Sequence, residues 1–151
     1  MKISSKIAII LLLSVINNVW AGNLIMSRSN QDFPETMLSL QESISQQGYT
    51  LSRVQRVDVG LTAMGYETDK YRVVFLGKTD EVHYLTDKYP TLIPYLPLKI
   101  SIFAEGDQTL LVTIDPDYFH TLFPQQELKK YFHQWSSDLQ AILDKTIQKP
   151  E

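Results

Sequence analysis

The sequence predicts an α+β two-layer single domain, a mixed β-sheet of about five strands with helices packed mainly on one face and a long C-terminal helix. Three observations lead there. Strand-like and helix-like segments alternate along the chain, two late strands are close enough to form a hairpin, and the longest amphipathic stripe comes last. No internal repeat, low-complexity tract or Pro/Gly/Ser linker divides the 151 residues, so one hydrophobic core is expected.

Leu24 to Ser29 reads as a short first strand. Asp32 stands three residues before Glu35, the spacing of a helix cap and its acidic partner, and Phe33, Met37, Leu40 and Ile44 follow as one apolar stripe. Gly48 supplies the left-handed residue that ends the helix. Tyr49 to Val57 alternates as a strand would, except that Leu51 and Val54 are out of phase with each other. Leu61 to Tyr66 is too short to assign as a helix. Tyr71 to Leu76 is β-branched and aromatic, ends at Gly77, and has the near-continuous apolarity of a buried strand.

A second helix is expected from about Thr79 to Tyr89, followed by an extended, stiff connection imposed by Pro90, Pro94 and Pro97. Leu98 to Ala104 and Thr109 to Ile114 form the hairpin around Glu105-Gly106-Asp107-Gln108. In the last helix Leu128, Phe132, Trp135, Leu139, Ile142 and Thr146 recur at alternating steps of four and three, with Lys145 and Lys149 near its carboxyl end.

The first 21 residues read differently. Lys2 and Lys6 precede a ten-residue run from Ile7 to Ile16, and Val19-Trp20-Ala21 ends in the small residues a signal peptidase reads. Asn17 and Asn18 interrupt the run well short of the ~20 apolar residues that span a bilayer. Residues 1–21 are therefore expected to be a signal peptide cleaved near Ala21, and residues 22–151 a periplasmic or secreted domain touching membrane only if the signal stays uncleaved. The chain has no cysteine, which excludes disulfides, thiolate metal sites, a thiol nucleophile and lipid attachment at a cysteine. Without Lys2 and Lys6, 12 basic side chains face 17 acidic ones and the formal charge moves from −3 to −5. That balance gives no electrostatic reason to bind nucleic acid.

Several segments together carry a family resemblance. Phe33-Pro34-Glu35-Thr36 opens the first helix with Leu40 behind it, and Gly48-Tyr49 closes it. Val73-Val74-Phe75-Leu76-Gly77, Leu96-Pro97-Leu98-Lys99-Ile100 and Asp115-Pro116 then follow in order. Over roughly residues 30 to 145 the chain resembles the domain of unknown function 302 (DUF302) family. The resemblance implies a compact α/β domain, prone to form homodimers, with no established activity and no cofactor. Two departures stand out. Lys78-Thr79 replaces the Asn-Pro pair found in many members, and Leu98 stands where a subset has a cysteine, so a metal or redox role resting on that cysteine does not carry over.

Four places offer chemistry. Asp80, His83 and Asp87, at i, i+3 and i+7, share one face of the second helix and suggest a divalent metal site or a carboxylate-oriented base. The plainer reading, an early-turn acid and a wet surface, carries more weight. Lys78 and Thr79 lie between a strand and a helix, where backbone amides and a lysine can hold an anion, yet neither Gly-x-Gly-x-x-Gly nor a Walker motif is present. Asp115, Asp117 and Tyr118 gather carboxylates and a phenol after the last strand, either as caps of a turn or as the rim of a polar ligand site. Tyr84, Tyr89, Tyr95, Tyr118 and Tyr131 crowd the proline-rich connection and the last helix, as core, interface or pocket. A serine hydrolase elbow is absent, and His133 beside Phe132 is expected to flank the core.

The leading expectation is an exported, non-catalytic module that binds a small ligand or an envelope protein and forms a homodimer, in part through the 4-3 stripe of the last helix. A metal-assisted hydrolase using Asp80, His83 and Asp87 is the alternative.

Overall fold

The computed structural model describes residues 22–148, so the signal-peptide segment lies outside the described residues. Five strands form one sheet in the order β1-β5-β4-β3-β2, namely β1 (Leu24–Ser29), β2 (Thr50–Arg56), β3 (Tyr71–Gly77), β4 (Leu98–Glu105) and β5 (Gln108–Ile114). Among the described residues four α-helices accompany them: α1 (Phe33–Gln46), α2 (Val57–Ala63), α3 (Thr79–Lys88) and α4 (Gln126–Ile147). The α+β two-layer reading holds, with the long helix at the C-terminal end.

Every neighbouring pair in the sheet is antiparallel, which corrects the expected mixed sheet. A strand-helix-strand pattern suggests a crossover between parallel neighbours. Here α1 instead carries the chain from one edge of the sheet to the other, so β1 and β2 run in the same sense with three strands between them.

The α1 boundaries follow from local chemistry. Asp32 Oδ1 accepts the Glu35 amide at 3.0 Å, Pro34 occupies the first turn, and Gly48 takes a φ of +79° just past the end. The hairpin pairs Glu105 with Gln108 and turns through Gly106, φ +58°, and Asp107. The phase break in β2 is a β-bulge: Leu51 faces Leu76 and Arg53 faces Phe75, which leaves Ser52 as the extra residue. That insertion returns both Leu51 and Val54 to the inner face.

Two expectations fail locally. Val57–Ala63 continues directly from β2 as a short helix. The proline connection is not extended, because Pro90–Tyr95 winds into a 3-10 turn whose first position suits the fixed φ of Pro90.

Alternation divides the sheet into two faces. Ile25, Leu76, Val74, Leu98, Ile100, Ile102 and Leu111 point to the helices and are buried. The α4 stripe predicted from spacing is wholly enclosed, with Leu128, Phe132, Trp135, Leu139, Ile142 and Thr146 all buried within the chain. It packs against α1 and β1, so the stripe that suggested a partner helix is already used inside one chain. The opposite face, with Met26, Phe103, Leu110, Val112, Val73 and Phe75, stays part-exposed or exposed.

Candidate functional site

The junction of β3 and α3 organises the chemistry of the molecule. Lys78 caps α3 in an extended conformation, φ −93° and ψ 113°, so consecutive side chains alternate through Gly77-Lys78-Thr79. Lys78 turns inward toward α4, while Gly77 and Thr79 turn to the other side.

On the inner side Asp138 of α4 is 5% exposed and collects four donors. Its Oδ1 accepts Gln47 Nε2 and Gln134 Nε2, each at 2.9 Å, and its Oδ2 accepts the Tyr49 hydroxyl at 2.8 Å. Lys78 Nζ lies 3.5 Å from Oδ2 and 4.7 Å above the Tyr49 ring. Beside this group, Trp135 Nε1 donates to Glu81 Oε1 at 2.7 Å.

Burial alone would raise the Asp138 carboxyl, but the hydrogen bonds of Gln47, Tyr49 and Gln134 and the charge of Lys78 outweigh it and hold the group below the usual carboxylate range. The Tyr49 phenol is driven well upward, first by burial, then by its bond to Asp138 and by the charges of Asp138 and Glu81. A carboxylate has about four lone-pair sites, and all are taken. Asp138 is therefore a brace joining the end of α1, the start of β2, the β3–α3 junction and α4, rather than a free base.

On the outer side lies a cavity of about 330 Å³. Thr50 and Ser52 of β2, Gly77 of β3, Pro97 before β4, and Thr79, Val82 and His83 of α3 line it. A Cβ on Gly77 would stand 2.9 Å from Val82 Cγ2, so glycine is what lets α3 pack this close to the strand end. Ser52 Oγ donates to the Phe75 carbonyl at 3.2 Å, which leaves its lone pairs facing outward.

The sequence-derived candidates thus do not form one site. Lys78 joins the brace, whereas Thr79 and His83 reach the cavity. Asp80, His83 and Asp87 are exposed on α3, and among the described residues no group of three His, Asp or Glu side chains is arranged to hold a metal ion. The reason is length: seven helical residues rise about 10.5 Å, and carboxylates so far apart do not meet one ion at the ~2 Å of a metal–oxygen bond. Asp115 caps the 3-10 turn Pro116–Thr121 by accepting the Asp117 amide at 3.0 Å. Asp117 instead pairs with His133 Nδ1 at 3.3 Å and, through its carbonyl, with His120 Nδ1. These three surround a shallow 280 Å³ depression with Lys129, while Tyr118 is exposed. His133 does not flank the core; it stands out in solvent. Of the tyrosines, Tyr95 packs edge-on to Phe119 and Phe123, and Tyr131 lies against Trp135.

Sequence reasoning missed Asp138 and its partners. The available signal was an Asp three residues after Trp135 and four before Ile142, a charge set into the apolar stripe. A buried charge at such a position needs partners, and Gln47 and Tyr49 are 91 and 89 residues away in the chain.

Comparison with known proteins supplies the family. No curated protein matches the sequence. The fold is similar to the crystal structure of an uncharacterized conserved protein DUF302 from Bacillus stearothermophilus, with a TM-score of 0.75 at 19% identity, covering 83% of this chain and 99% of that one. The family described as Domain of unknown function DUF302 matches residues 25–146, nearly the whole described domain, and the chain belongs to that family.

Proposed function

We propose that the chain is exported, loses residues 1–21, and acts as a non-catalytic binding module that pairs with a second copy through the open face of its sheet. The observation that supports this reading is the composition of that face. Its central row runs Met26, Val112, Ser101, Val73 across β1, β5, β4 and β3, flanked by Leu110 and Phe103 on one side and Ile114 and Phe75 on the other. Both long helices pack on the other side, which leaves Met26 and Ile114 exposed and the other apolar groups half-buried. A contiguous apolar face that is only partly covered favours burial against a like surface. Two sheets pack face to face at about 10 Å, and a two-fold pairing needs only one self-complementary patch.

Charge is compatible with a second copy, since Glu105 pairs with Arg28 at 2.8 Å and Lys99 with the Pro94 carbonyl at 3.2 Å, both exposed enough to exchange partners. Lys99 stands near one end of β4 and Glu105 at the other, about 20 Å apart at the rise of a strand. Antiparallel stacking of β4 on its two-fold mate brings each Lys99 toward the other copy's Glu105.

Sedimentation of the mature protein at micromolar concentration tests this. The expected mass is that of two chains, and Val112→Glu, which sets a charge in the central row, should weaken pairing at least tenfold. A single-chain mass unchanged up to the highest concentration would refute self-association. Fractionation of the host cell, with the mature N-terminus read by mass spectrometry, tests export and cleavage after Ala21.

A further inference from the structure

The cavity between β2, the end of β3 and α3 has a chemistry of its own, and we propose that it binds a small neutral ring-bearing alcohol or phenol. The size sets the first limit. A dry cavity of ~150 Å³ already holds a benzene ring, so about 330 Å³ takes one ring with a short substituent. The walls set the second. Val82, Pro97 and the bare backbone of Gly77 offer an apolar surface for the ring.

Ser52, Thr79 and His83 bring polar side chains to the same lining. Ser52 Oγ presents lone pairs because its proton goes to the Phe75 carbonyl. Thr79 Oγ and the His83 imidazole, which makes no side-chain hydrogen bond among the described residues, add donor and acceptor capacity. A single hydroxyl both donates and accepts, which matches this set.

The same walls favour a neutral ligand. The lining has no carboxylate, ammonium or guanidinium: Lys78 is turned to Asp138 on the far side of the backbone, and Lys99 on the outer face donates to the Pro94 carbonyl at 3.2 Å. The one ionisable side chain of the lining is His83, so a cation meets no counter-charge there and an anion meets at most one imidazole, which favours a neutral ligand. This site lies at the β2/β3 corner of the sheet, two residues along β3 from Phe75 of the open face, and all its lining residues come from one chain.

The test is an NMR titration of the mature protein with p-cresol as the neutral probe, and p-toluate and 4-methylbenzylammonium as charged probes of the same shape. Saturable amide shifts at Gly77, Thr79, Val82 and His83 are expected with p-cresol, with half-saturation below about 1 mM. His83→Ala should weaken binding about 3- to 10-fold, the effect of one lost hydrogen bond. Val82→Trp should abolish it by filling the cavity. Should that variant fail to fold, Thr50→Trp fills the mouth from an exposed strand position and decides instead. Equal or tighter binding of either charged probe overturns the ligand class. Absence of saturable shifts with all three probes, or p-cresol shifts unchanged in the filled variant, overturns the site. Neither outcome bears on the sedimentation result.

Discussion

Removing the Asp138 carboxylate should destabilise the domain by an amount set mainly by one hydroxyl. Of the four donors that Asp138 receives, Lys78 Nζ and the two Gln amides have routes to water, since the Lys78 side chain is 38% exposed and Gln47 and Gln134 are part-exposed or exposed. Tyr49 is only 5% exposed, so its hydroxyl is left without a partner. A hydrogen bond to a charged group contributes about 1.5–3 kcal/mol and a stranded buried donor costs about 1–3 kcal/mol, so Asp138→Ala should cost roughly 2–4 kcal/mol. In a domain of this size that lowers Tm by about 10 °C. Tyr49→Phe removes the stranded hydroxyl, so in that background the cost of Asp138→Ala should fall by at least ~1 kcal/mol. Urea unfolding of the parent, the two single variants and the double variant measures all four corners. Strict additivity would show that Tyr49 and Asp138 are not energetically coupled and that the brace reading is wrong.

Acid should unfold the protein partly through the same group. The folded carboxyls of Asp138 and of Asp58, which is held down first by its hydrogen bond from Arg72, lie below their ordinary value, so the unfolded chain binds protons first as pH falls. Their stabilisation is fully present above about pH 4 and disappears as pH drops through the folded values. Urea midpoints from pH 7 to pH 2 should fall less steeply for Asp138→Asn than for the parent, and identical profiles would contradict the assignment. Trp135, 2% exposed and packed among Phe132, Tyr131 and the Glu81 carboxylate, should cost ~3–5 kcal/mol on replacement by Ala. A folded variant with unchanged Tm would show that α4 is not anchored there.

The fold was legible where local chemistry decides local structure. Asp32, Gly48 and Gly106 mark boundaries because caps and left-handed turns depend on a few adjacent residues. Even the bulge at Ser52 was present in the sequence as a phase break between Leu51 and Val54. Strand direction was not, because it depends on which edge α1 reaches, a property of the whole sheet. The site was half legible for the same reason. Gly77-Lys78-Thr79 was singled out by its position between strand and helix, yet whether Lys78 holds an anion or a carboxylate of its own chain depends on Asp138, 60 residues later.

At this junction Lys78 brings a charge to the buried Asp138 carboxylate and lays it over the Tyr49 ring. The same backbone alternation that aims Lys78 inward sends Thr79 outward to the cavity with Gly77 and His83. One residue thus fixes the helix start on its α4 side while its neighbours shape the opposite wall. A ligand on the outer side and the brace on the inner side therefore act on a shared three-residue segment, and a change that loosens Lys78 from Asp138 should be felt in the cavity even though Lys78 does not line it.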